Sequence, residues 1–357
     1  MEGFKKIIIE FCTSILLGII FGAYIYIFVP ETNVLILFLV LVISVPLHLL
    51  IHEAGHFVFG LISGYKPSSV RIFSIILIFC QTRRIRVKRV SGFATPGQCL
   101  MEPPKLIESF PYLLYILGGC IANVILSVMA VIAIVFAESF LVFLYIFSFI
   151  GVSYTIANGI VMNCSDGGII WYLQRKPEFR KYLYNQLQIN AQMSKGIALK
   201  DMPDEYFRLP LDVDHTHYFF LYIALLNYNR MLALGEYEKA IMIIDKLWRN
   251  IDNELKNYYV DIATEKLFCL CIESKIKEAN ILYRSYLKGK LPKLKSVEKK
   301  RVMMAYALFI LHDKELAEEY KAEAIRLVKF CPLQAVAEFE MMLLELLENM
   351  FIQKYCK

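Results

Sequence analysis

Residues 47–64 read LHLLIHEAGHFVFGLISG. His48, His52, Glu53 and His56 stand here among leucines, isoleucine, valine and phenylalanines. Imidazoles and carboxylates are costly in a membrane helix, and where they occur they default to a functional role. Whether this stretch crosses a membrane therefore decides both the fold and the chemistry.

The chain has 357 residues, 57% of them hydrophobic, and the apolar residues concentrate in its first half. Residues 7–29 hold one acid, Glu10, and residues 34–51, 110–136 and 140–163 hold no charge. About 20 apolar residues at ~1.5 Å each cross the hydrocarbon layer. The expected fold is thus an all-α membrane protein with four transmembrane helices, at about 7–29, 34–64, 110–136 and 140–163. The first run lacks a small-residue cleavage site and is expected to stay as an anchor rather than be removed as a signal peptide. The nine cysteines follow no disulfide or zinc spacing and are read as free thiols.

Basic residues set the expected topology. Residues 1–171 contain ten Lys or Arg. Lys5 and Lys6 precede the first helix, and the other eight, from Lys66 to Lys105, lie between the second and third. The positive-inside rule then puts the N-terminus, loop 65–109 and everything after residue 171 in the cytoplasm of a multi-pass cell-membrane protein. The same rule explains RRIRVKR (83–89) without a nucleic-acid partner. Counting along the helices brings His52 and Asp166 to one depth near the cytoplasmic boundary.

Loop 65–109 reads as a small β element on the inner face, since RIRVKRV alternates and 91–99 carries turn residues. Residues 1–171 form the membrane domain and 172–215, with Pro177, Pro203 and Pro210, a linker containing a short helix. In residues 216–357 the segments GEYEKA (235–240), SKIKEA (274–279) and HDKELA (312–317) recur at spacings of 39 and 38, each between amphipathic runs. Such recurrence predicts a helical-repeat domain, loosely tetratricopeptide-like, able to bind a cytosolic peptide or protein.

The chemistry centres on H-E-x-x-H. On a helix it places His52 and His56 one turn apart, able to share one metal ion, with Glu53 beside them. A catalytic zinc needs a third protein ligand. Asp166, in NCSDGG (163–168), is the acid expected there, with Gly167 and Gly168 letting its backbone bend toward the ion. His48 shares the stripe, but three ligands a turn apart span ~12 Å, too far for one ion. His48 is left as a supporting partner, a substrate contact or a packed polar residue.

Together these residues resemble the site-2 protease family of intramembrane zinc metalloproteases. NGIVMNCSDG (158–167) is similar to that family's N-x-x-P-x-x-x-L-D-G, and GCIAN (119–123) to its G-P-x-x-N. Val161, Ser165 and Cys120 depart from the pattern, none at a ligand position. The resemblance spans about residues 34–170. It implies Zn²⁺ held by His52, His56 and Asp166, Glu53 as general base, and a membrane-spanning peptide or protein in the bilayer as substrate. Asn123 and Asn158, with His48, would contact that substrate, or serve as interhelical hydrogen-bond partners.

The expected function is an intramembrane zinc endopeptidase acting in regulated proteolysis or leader-peptide processing. The alternative is an inactive membrane scaffold whose repeat domain recruits partners. A metal transporter would need a polar path along several helices, and the spans offer little outside the motif.

Overall fold

The computed structural model describes residues 18–79, 85–90, 96–105, 110–160, 165–209, 218–249 and 256–355. Its order begins with an apolar helix α1 (Gly18–Phe28), then α2 (Val34–Ile62). A four-stranded sheet follows, β1 (Lys66–Ile72), β2 (Ile75–Phe79), β3 (Ile85–Arg89) and β4 (Gly97–Glu102). Then come α3 (Tyr112–Phe136), α4 (Leu141–Gly159), α5 (Asp166–Arg175) and α6 (Arg180–Ser194). The chain closes with α7 (Tyr218–Ala233), α8 (Tyr237–Arg249), α9 (Lys256–Ile272), α10 (Ile276–Leu282), α11 (Val297–Tyr306), α12 (Lys314–Val328) and α13 (Gln334–Tyr355).

Among the described residues three helices are long and apolar enough to cross a membrane: α2, α3 and α4, of 29, 25 and 19 residues. Asn33 starts α2 by accepting a hydrogen bond from the Leu35 amide at 2.8 Å, satisfying a donor the helix leaves open. Gly64, at φ +84°, ends the turn that follows it. Outward faces stay apolar: Phe38, Leu39 and Val42 on α2, and Val128, Met129 and Ile132 on α3, are each half exposed or more. Soluble domains seldom leave so much contiguous apolar surface in water. Of the expected first span, 7–29, only α1 is described; it lies on α4, where the Tyr24 hydroxyl donates to the Tyr145 carbonyl at 3.0 Å. Residues 7–17 of that expected span lie outside the described residues.

α2 packs on α3, and α3 on α4. The α2–α3 crossing is set by glycine. A Cβ on Gly55 would strike the Gly118 carbonyl, and one on Gly118 the Gly55 carbonyl, so only glycines let the two backbones come this close.

The predicted β element is an antiparallel sheet in the order β3-β2-β1-β4. Segment 172–215 is more than the linker expected. Its α6 packs on β4 and α7, with Leu183, Leu187 and Ile189 buried beside Asn185, Gln188 and Asn190. The amides are answered: Gln188 donates to the Pro103 carbonyl and Asn190 accepts from the Tyr222 hydroxyl. A helix buried through amides has a weak apolar stripe, which is why its sequence reads as a linker.

Helices α7 to α13 share one core. Gly235, Ser274 and His312, the first residues of the three recurring segments, all take positive φ at a helix-to-helix turn. The last residues, Ala240, Ala279 and Ala317, are all fully buried. Arg301, 1% exposed, sits in this core between Glu265 (3.0 Å) and Glu340 (2.8 Å), over the Phe268 ring. Burial alone would lower its pKa, and the two carboxylates more than reverse that. Burial pushes the Glu340 carboxyl up to about 7 despite the guanidinium, because two acids share it.

Removing one partner of such a group leaves a buried charge uncompensated. Arg301→Ala is expected to destabilise the protein by about 3–5 kcal/mol in thermal or denaturant unfolding in detergent. The Glu340 pKa in the fold lies above its ordinary 4.5, so its stabilising contribution is full below that value and is lost as pH rises through about 7. Glu340→Gln should therefore flatten the fall of Tm with pH over that window.

Candidate metal centre

His52 and His56 lie on one face of α2, and Asp166 opens α5. The ion-facing atoms converge. His52 Nε2 stands 3.1 Å from His56 Nε2 and 3.2 Å from Asp166 Oδ2, and His56 Nε2 stands 3.5 Å from Asp166 Oδ2. No other His, Cys, Asp and Glu cluster among the described residues brings three such atoms within reach of one ion. Four ligands at ~2.0–2.1 Å in a tetrahedron lie ~3.3 Å apart along its edges. The three separations bracket that value, so the donor set fits a small tetrahedral metal ion.

The hydrogen bonds behind the histidines decide which nitrogen is free. His56 Nδ1 donates to the Tyr115 carbonyl at 2.9 Å, leaving Nε2 as the lone-pair nitrogen of the neutral ring. The His52 side is a chain of three residues. His48 Nε2 donates to the Phe147 carbonyl at 2.8 Å, so His48 Nδ1 accepts. Its partner at 3.0 Å is the Asn123 amide, whose other end lies 3.3 Å from His52 Nδ1. Asn123 lies with Oδ1 toward His48 Nδ1 and its NH₂ toward His52 Nδ1; turning the amide over, so that the NH₂ donates to His48 and the oxygen accepts from His52 Nδ1–H, is the orientation that answers both rings when His52 Nε2 faces an ion. The His52 Nε2 lone pair is then also free to ligate. A support of this kind fixes ring orientation and raises ligand basicity.

His48 and Asn123 are both fully buried and are spent on each other and on His52. These bonds match the supporting and interhelical hydrogen-bonding alternatives expected for the two residues. Asn158 joins neither: its amide donates to the Tyr154 carbonyl of its own helix at 2.9 Å.

Asp166 reaches the histidines by a helix start rather than a flexible bend. Ser165 caps α5, its hydroxyl accepting from the Gly168 amide at 3.0 Å, and Asp166 is the first helical residue. Gly167 takes no positive φ; a Cβ there would strike the Gly159 carbonyl, so its smallness serves the close approach of α5 to the end of α4. Ser165, where the resembled pattern has Leu, is thus the cap, and an S-D-G-G pattern is a readable start signal. Cys120, the other departure within the described residues, directs its thiol to Asp166 Oδ2 at 3.9 Å.

Glu53 is buried at 6% exposure. Gly97, at the start of β4, has no room for a Cβ because Glu53 Oε1 and Leu49 occupy it. Arg71 of β1 interacts electrostatically with Glu53, and burial holds its own pKa below the ordinary value. These two strand residues are part of the site and were missed, because nothing in residues 65–109 marks which ones meet α2. Tyr115 ties the parts together: its carbonyl holds His56 and its hydroxyl donates to the Cys99 carbonyl of β4 at 2.6 Å.

Two substitutions test the support of His52. With Zn²⁺ as the probe ion, His48→Ala is expected to weaken metal binding at this candidate centre about 10–100-fold, as loss of a ligand's hydrogen-bonding support does, read by competition with a chromophoric chelator. Gly119→Val should do at least as much, since a Cβ at Gly119 enters the His52 ring.

The chain matches no protein-family model, no curated protein and no solved structure.

Proposed function

We propose that the protein is an intramembrane zinc endopeptidase that cleaves a membrane-spanning peptide or protein. One observation carries the reading: two histidine nitrogens and a carboxylate oxygen at tetrahedral-edge separations, with a buried glutamate next in sequence, on helices of membrane length. Zinc at His52, His56 and Asp166 would supply Lewis acidity and a nucleophilic hydroxide near neutral pH.

The chain's own residues then divide the work. Glu53 Oε takes the proton of the attacking water and delivers it to the leaving amine nitrogen. Gly97 and Leu49 close over Glu53 and keep it from bulk water. His48 and Asn123 hold the His52 ring, and the Tyr115 carbonyl holds His56. The basic residues between α2 and α3 support an orientation with the sheet and α6–α13 in the cytoplasm. Helices α7 to α13 are read as tetratricopeptide-like repeats, on the matching turns at Gly235, Ser274 and His312. In the second reading, an inactive scaffold, those helices would be the whole function; the preserved Glu53 beside three convergent donors favours the enzyme.

Glu53→Gln should lower cleavage by about 10²–10⁴-fold while zinc stoichiometry stays that of the unaltered protein. Membrane proteomics of cells carrying it should reveal uncleaved single-span peptides accumulating. Cleavage undiminished in the variant would sink the proposal.

A further inference from the structure

Between α7, α9, α11 and the turn from α12 to α13 lies a cavity of about 420 Å³. Leu225, Val297, Leu327, Phe330 and Val336 form the apolar part of its lining, beside Asn229 and Ser296. Four carboxylates face it: Asp261, Glu265, Glu298 and Glu340. Two cations serve three of the four. Lys299 pairs with Asp261 at 2.5 Å, and Arg301 is shared by Glu265 and Glu340. Among the described residues Glu298 has no ion-pair partner, and its charge helps push the Glu340 carboxyl up. The cavity therefore combines an apolar lining with a deficit of positive charge, the complement of a Lys or Arg side chain, whose alkyl stem is apolar and whose head is a cation.

The cavity wall is also part of the contact to the sheet. Phe330, Cys331 and Pro332 line it, and the Cys331 carbonyl accepts from Lys88 Nζ of β3 at 3.5 Å. Leu333 packs on Ile76, Ile78 and Val90, and Gln334 Oε1 accepts from Arg86 at 3.5 Å. The same sheet ends in Gly97 against Glu53. The sheet thus touches both the cavity wall and Glu53. Membrane spans carry Lys and Arg within ~15–20 residues of their cytoplasmic ends.

We propose that this cavity binds the basic, otherwise apolar segment flanking the cytoplasmic end of a substrate's membrane span, so that α7–α13 select substrates by their positive flank. The identity of the peptide rests on the endopeptidase reading; the cavity's preference for a cationic peptide does not.

The test uses the full chain carrying Glu53→Gln, in zwitterionic detergent, so that binding is read without cleavage. The probe is a fluorescein-labelled decapeptide of lysine, alanine and leucine, with a counterpart carrying glutamate for lysine, measured by anisotropy against protein-free micelles. The lysine peptide should bind at least about tenfold tighter than its counterpart, and Glu298→Lys, at a half-buried rim position, should erase about tenfold of that affinity. Binding should also weaken as salt rises. Asp261→Asn is the second variant, with thermal unfolding to establish that each remains folded. Equal binding of the two peptides, affinity no greater than that of empty micelles, or affinity unchanged by both variants would overturn the proposal. Binding present in the Glu53→Gln parent and lost in these variants assigns it to this cavity, whether or not the endopeptidase reading holds.

Discussion

An imidazole between apolar helices is tolerated only where both of its nitrogens are answered. That requirement organises this protein. His48 sits fully buried between Phe147 and Asn123, Asn123 passes the hydrogen bond on to His52, and His56 is answered by Tyr115. Each of these bonds consumes the nitrogen away from Asp166. What remains free, on both ligating rings, is the Nε2 lone pair, and the two Nε2 atoms stand together beside a carboxylate. Satisfying the buried polar groups and preparing a metal-binding face are one arrangement. The crossings that allow it depend on absent side chains: Gly55 against Gly118 for the backbones, Gly119 for the His52 ring.

The sheet and the helices beyond α5 are joined to this arrangement rather than appended to it. Tyr115 contacts His56 through its carbonyl and β4 through its hydroxyl. Tyr65, Met101, Tyr115, Leu173, Leu183 and Phe220 belong to one core, which runs from the foot of α3 through the sheet to α7. Close-packed interiors transmit displacement, so a shift of α6 or of the sheet reaches the neighbourhood of Glu53 through Gly97. Arg301 does for the C-terminal core what His48 does for the helices: a buried polar group held by partners from distant helices, specifying one packing.

Much of this was legible in residue order. Uncharged runs marked α2, α3 and α4 to within a few residues, because a helix of membrane length leaves an unbroken apolar signature. The H-E-x-x-H spacing placed His52 and His56 on one helix face through the helical period alone. The amide-rich α6 was obscure, since its buried face is made of Asn and Gln rather than an apolar stripe. So were Arg71 and Gly97, whose meaning depends on the strand register that carries them to α2. The pairing of Arg301 with Glu265 and Glu340, 36 and 39 residues away, leaves no local trace.

Sequence by itself determined the three membrane-length helices, the spacing of His52 and His56, the presence of Glu53 and Asp166, and the charge bias between α2 and α3. Periodicity and composition are local quantities, and a helix reads them directly. Only the tertiary structure decided that Asp166 turns back from a capped helix start onto both histidines, and that His48 and Asn123 stand behind His52. It alone also set the sheet against Glu53. Those relations are made across helix crossings, where the approach of two backbones is governed by which atoms are missing at the contact, and no run of neighbouring residues records that distance.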